Sequence, residues 1–194
     1  MAAALTVVST TVMAQTSYPW MDTSKSFRER AELLCRELTL REKVDQLGNN
    51  VSEPIKRDGQ VILPSYQYWN EALHGVARSG AATSFPESKG MSATWDEMLV
   101  RACAEAISDE ARIYHETKGK GLNYWSPTIN MARDPRWGRE EENYGEDPLL
   151  AGRLAVEFIK GFQGEITPAT PYYKLVACAK HFAANNYEQG RQST

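Results

Sequence analysis

A carboxylate and an imidazole stand three residues apart in Tyr68-Trp69-Asn70-Glu71-Ala72-Leu73-His74-Gly75, beside an indole and a glycine. A carboxylate accepts hydrogen bonds from two sugar hydroxyls, and an indole covers a sugar's apolar face. Glu71 and Trp69 therefore have the chemistry to hold a saccharide, although Trp69 also suits a core and His74 suits a satisfied core histidine. A second group is Arg133-Asp134-Pro135-Arg136-Trp137-Gly138-Arg139, followed by Glu140-Glu141-Glu142-Asn143-Tyr144-Gly145-Glu146-Asp147-Pro148. Charges that dense, mixed with a Trp and two prolines, predict a rigid loop tied by arginine–carboxylate pairs, with one arginine left for a ligand. The third group, Lys180-His181-Phe182, follows an apolar run. Adjacent side chains diverge on a strand, but at the carboxyl end of a parallel strand both can reach one pocket.

Other chemistries lack their patterns. His74, His115 and His181 have no metal-ligand spacing and form no HExxH, so no metal is expected. There is no Gly-rich phosphate loop and no GxSxG elbow. Cys35, Cys103 and Cys178 form no CxxC pair and are expected as buried free thiols.

The elements that must position these groups follow from periodicity. Apolar Phe27, Ala31, Leu34, Cys35 and Leu38 mark one face of a helix over 24–38. Thr39-Leu40-Arg41-Glu42 has capping-box form, so a second helix should run from there to Gly48. Residues 49–60, polar with Pro54 and Gly59, read as loop. A long helix capped by Ser92 or Thr94 should run through Trp95, Leu99, Ala102, Ala106 and Ile113 and stop before Gly119. Asp147-Pro148 predicts another, burying Leu150, Leu154, Phe158 and Ile159 and ending near Gly164. Gly121–Met131 and Lys174–Phe182 are apolar runs of strand length. Strands alternating with helices predict a parallel α/β architecture.

Across 194 residues, 42% are hydrophobic and 24% charged, with a net charge of −3, which are globular values. The mild acidity argues against nucleic acid as partner, and no apolar run reaches the ~20 residues of a membrane span. Residues 1–14 read as a signal peptide: Ala2–Ala14 is apolar and ends in Val12-Met13-Ala14, although no Lys or Arg precedes it. A secreted or periplasmic mature chain would then occupy 15–194.

The order YWNEALHG, FPES, LNYWSPTINMARDPRWGREEENYGEDP and ACAKHF resembles the family 3 glycoside hydrolases, over nearly all of Asp22 to Arg191. The resemblance implies a TIM barrel followed by an α/β sandwich domain, and exo-acting, retaining hydrolysis of β-glycosides without metal or organic cofactor. It assigns the grip on the terminal sugar to Glu71, Arg139, Lys180 and His181, with Trp69 beside them. The family usually has Asp where Glu71 stands, and this glutamate resembles the β-xylosidase branch. One added methylene pushes the carboxylate into the space a hexose's hydroxymethyl group would take, which a pentose leaves empty. Asn185-Asn186-Tyr187-Glu188 with Arg191 resembles β-glucosidase members instead, and α-L-arabinofuranosides are shared substrates of the xylosidase branch. Ala183-Ala184 after Phe182 departs from the N-acetylhexosaminidase branch, which carries a Pro-Gly extension there.

A retaining glycosidase needs two carboxyl groups about 5–5.5 Å apart. The resemblance puts the nucleophile in a Ser-Asp motif well after KHF and the acid/base later still. Ser108-Asp109 comes far too early, and the sequence reaches only Thr194, 13 residues beyond His181. A barrel also takes ~250 residues. The expectation is therefore a partial TIM barrel, truncated before closure. It would bind an oligosaccharide or aryl β-glycoside, have no catalytic residue of its own, and need the missing C-terminal part of the same enzyme. The alternative is a non-catalytic carbohydrate-binding protein.

Overall fold

The computed structural model describes residues 18–49 and 51–190, and the chain divides into two units. The signal-peptide expectation and Arg191 lie outside the described residues.

The first unit joins the chain up to Leu47 with Ile55–Leu63. Its helices are α1 (Phe27–Glu37) and α2 (Leu40–Asp45), each opened by a complete capping box, Ser26/Glu29 and Thr39/Glu42. The second box is the expected one, but α2 ends at Asp45 rather than Gly48. The apolar face expected of α1 is only partly used: Leu38 is buried and Leu34 half-buried, while Phe27, Ala31 and Cys35 face solvent. Residues 49–60 are not simply loop. Strands β1 (Ile55–Arg57) and β2 (Gln60–Leu63) form an antiparallel hairpin whose turn, Asp58-Gly59, has both φ angles positive. Asp-Gly is the dipeptide such a turn favours. Trp20, Leu38, Ile55 and Ile62 form this unit's core, and Arg57 holds Glu42 at 2.7 Å.

The second unit holds the functional groups. It contains α3 (Ser88–Ser92), α4 (Glu97–Lys118), β3 (Asn123–Tyr124), α5 (Pro148–Gln163) and β4 (Val176–Ala177). The pair β3–β4 is parallel, and its pairing resumes at Thr128–Lys180. With α5 between them the two strands make a βαβ unit, so the parallel α/β expectation holds with strands shorter than the apolar runs. Helix α4 is capped by Asp96, whose carboxylate accepts from Leu99 N at 3.0 Å, and not by Ser92 or Thr94. Ser92 closes α3, and Thr94 donates to the Met91 carbonyl. The buried face of α4 is Val100, Cys103, Ala104, Ile107 and Ala111, whereas Leu99, Ala102, Ala106 and Ile113 are exposed and Trp95 precedes the helix. Helix α5 starts at the predicted Asp147 cap and buries Leu154 and Phe158, while Leu150 and Ile159 are half-buried. Cys103 is buried, but Cys35 and Cys178 are exposed, a correction to the expected thiols. Among the described residues no helix is long and apolar enough to cross a membrane.

Candidate active site

The Gln67–Ala72 segment is sewn alongside β3. Asn70 donates to the Asn123 carbonyl at 2.9 Å, Asn123 donates to the Tyr68 carbonyl at 2.7 Å, and Ala72 N donates to Ser126 Oγ at 3.2 Å. These bonds fix Glu71 at the end of β3 from which the chain leaves. The following turn passes through Gly75 at φ +152°, where a Cβ would collide with the Thr83 carbonyl. Lys180 and His181 leave β4 at the same end, joined by a cis peptide. The Lys180 carbonyl accepts from Ile129 N at 2.7 Å.

Glu71 and Lys180, 109 residues apart, meet in an ion pair of 3.0 Å, with side chains only 20% and 9% exposed. The other Glu71 oxygen accepts from Trp69 Nε1 at 2.9 Å. Each carboxylate oxygen thus uses one lone pair on the protein and keeps one for a ligand.

Arg139 forks onto Glu142 at 2.8 and 2.5 Å. Its Nη1 lies 3.2 Å from His181 Nε2 and 3.9 Å from Glu188. Burial, then the charges of Arg139 and Lys180, lower the His181 pKa to about 4. The ring is therefore neutral near pH 7, as an acceptor of the Arg139 N–H must be. Burial pushes the Glu142 carboxyl up, and Arg139 more than reverses this, leaving it below its ordinary value. The arginine-rich loop is tied as predicted, Arg136 to Asp134 and Arg139 to Glu142, with Arg139 turned to the cavity.

A cavity of about 400 Å³ is lined by Glu71, Lys180, Arg139 and Glu142, together with Trp69 and Arg78. That is within the range of small-ligand sites. His181 supports it from behind, through Arg139. The Arg78 guanidinium lies 5.3 Å from the Trp69 ring centre, so the indole meets a cation on that face, where the sequence suggested an open platform. His74, in the wall, is satisfied at both nitrogens, by the Phe85 carbonyl at 2.8 Å and Glu87 at 3.0 Å. Burial raises the Glu87 pKa.

All five residues singled out from the sequence converge here, four of them lining the cavity. Sequence reasoning gave no site role to Glu142, Glu188, Arg78 or Asn130. Glu142 had a signal, its i+3 spacing from Arg139; Asn130 had none. Ser108-Asp109 is elsewhere, with Ser108 buried in α4 and Asp109 paired to Lys174.

The sequence matches the profile described as "Glycosyl hydrolase family 3 N terminal domain" over residues 34–192. It is 42% identical over 182 residues to an exo-1,4-beta-xylosidase of Emericella nidulans, covering 88% of this chain and 23% of that protein. It is 40% identical over 178 residues to a beta-xylosidase/alpha-L-arabinofuranosidase of Medicago sativa subsp. varia, covering 87% and 22%. A solved family 3 exo-beta-xylosidase, in complex with a xylobiose aziridine activity-based probe, superposes with TM-score 0.75 at 36% identity, covering 88% of this chain and 22% of that one. Beta-glucosidase 3B of Thermotoga neapolitana superposes with TM-score 0.65 at 27% identity, over 84% and 24%. The chain thus spans under a quarter of the curated relatives it matches. From the matched profile and these identities, the chain belongs to glycosyl hydrolase family 3, as a mixed α/β structure corresponding to that family's N-terminal domain.

Proposed function

We propose that this chain is the sugar-gripping part of an exo-acting, retaining β-glycosidase, acting as a β-xylosidase on oligosaccharides from plant polysaccharides. The observation that carries the reading is Glu71, pinned by Lys180 and Trp69 with a lone pair of each oxygen left over, in one cavity with Arg139. Such an array orients several hydroxyls at once, which is how binding lowers a glycosidase's barrier. The relatives named exo-1,4-beta-xylosidase, at 41–42% identity, support xylose, and a glutamate at position 71 favours a pentose for the steric reason above.

Glu71 and Glu142 are each committed to a cation at hydrogen-bond distance, so on this reading they hold rather than react. Nucleophile and acid/base are supplied from outside the 194 residues, by chain that completes a TIM barrel of which β3–α5–β4 is one βαβ unit. The segment 1–14 directs export in the same reading.

A β-glucosidase is the second reading. It is favoured by Glu188, in the segment resembling β-glucosidases, which lines the cavity. Turnover of a panel of aryl glycosides by the complete gene product decides. The proposal expects β-D-xyloside to be the best substrate, with α-L-arabinofuranoside next. Preference for β-D-glucoside selects the second reading, and no hydrolysis of any of them overturns both.

A further inference from the structure

We infer that Asn130 is a positioning residue of this site: it holds the His181 ring in one tautomer and so keeps Arg139 turned into the cavity. The tautomer stands on geometry alone, and its consequence for sugar binding rests on the proposed function.

Asn130 lies between β3 and the arginine-rich loop. Its Nδ2 donates to the Asn185 carbonyl at 2.7 Å, and its Oδ1 accepts from the main-chain N–H of His181 at 3.0 Å. A carbonyl only accepts and a main-chain N–H only donates, so these two backbone partners allow the amide a single orientation. The same Oδ1 lies 2.9 Å from His181 Nδ1. Nδ1 must then carry the proton, and in a neutral imidazole Nε2 is left with its lone pair. Arg139 Nη1, 3.2 Å away, points its N–H at that lone pair.

Arg139 is thereby held from two directions. Glu142 takes Nε and Nη2, and His181 takes Nη1. Without Asn130 the ring is free to carry its proton on Nε2, where N–H faces N–H and Arg139 loses its second anchor. The other charged groups acting on His181 are Lys180, Glu142 and Glu188, and none of them fixes which ring nitrogen is protonated.

The test is long-range ¹H–¹⁵N correlation NMR of the histidine-labelled chain at pH 7, with xylobiose titrations alongside. The wild-type spectrum should show His181 Nδ1 protonated and Nε2 unprotonated. Asn130→Leu should shift both signals toward a tautomer mixture and weaken xylobiose binding about tenfold, the scale of one lost hydrogen bond to a charged group. Asn130→Asp keeps an acceptor at Nδ1 and should keep that nitrogen protonated, but its negative charge beside the ring favours a second proton on Nε2 and meets the Asn185 carbonyl where the amide donated, so xylobiose binding should stay weak. A wild-type ring protonated on Nε2 overturns the inference even if the Leu variant fails to fold. So does an Asn130→Leu variant with the wild-type tautomer. Absence of xylobiose binding by a wild-type chain that shows the described tautomer counts against the sugar-binding reading and leaves the tautomer intact.

Discussion

Glu71 and Lys180 neutralise one another where water has little access, so removing either strands the other. Lys180→Met should lower stability by roughly 2 kcal/mol in thermal unfolding and weaken xylobiose at least tenfold by calorimetry. Glu71→Asp should act differently. Withdrawing the carboxylate by one methylene makes room for a hydroxymethyl group, so in the complete enzyme the ratio of β-glucoside to β-xyloside turnover should rise. Acidification reaches the site through His181, whose pKa near 4 lies below the ordinary value of 6.5. Between those values the unfolded chain binds a proton that the folded one refuses. The His181 contribution is therefore complete above about pH 6.5 and is lost as pH falls toward 4. After allowance for solvent screening it amounts to roughly 1–2 kcal/mol, read as the urea midpoint at pH 7 against pH 4.5. Glu142, held low, loses its contribution in the same direction; Glu87, held high, opposes both. Residues of distinctive type in tight motifs, such as Glu71, Arg139 and the Lys180-His181 pair, were legible before any coordinates. Asn130 was not, because its meaning lies in a histidine 51 residues away.

At the scale of elements, α4 and α5 pack closely along Gly161, where a Cβ would strike the Arg101 carbonyl and the Ala104 side chain. Gly161→Ala should therefore cost about 1–3 kcal/mol, as a lower urea midpoint with unchanged slope. Both helices start on an aspartate, and Asp147→Ala should cost about 1 kcal/mol. The Asp147 cap was legible because the proline after it admits few other readings. The α4 cap was not, since Ser92, Thr94 and Asp96 all qualify, and only the short α3 turn, which ends on Ser92, decides among them. The buried face of α4 was not legible for a related reason. The helix carries two apolar stripes, and periodicity alone does not say which one α5 covers. The hairpin in residues 49–60 was overlooked although Asp58-Gly59 marks its turn, because its strands of three and four residues are too short to show alternation.

At the scale of the whole chain, alternating helices and apolar runs correctly foretold parallel pairing of β3 and β4, with the charged groups gathered where those strands end. Trp95, just before α4, and Leu99 and Ile113 on it are exposed, and so is Phe182 beside the site. Apolar surface of that extent favours association. The 194-residue polypeptide should sediment as oligomers and bind an apolar dye, and a dye-silent monomer would refute this. On the proposed function, these residues hold a terminal pyranose while the acids that cleave its bond lie elsewhere. One proton NMR titration of the chain with xylobiose reads both halves, since line broadening reports binding and new anomeric signals report free xylose. The expected result is saturable broadening that Glu71→Ala abolishes, with no xylose released. Xylose appearing in the tube, or broadening that survives Glu71→Ala, would contradict it.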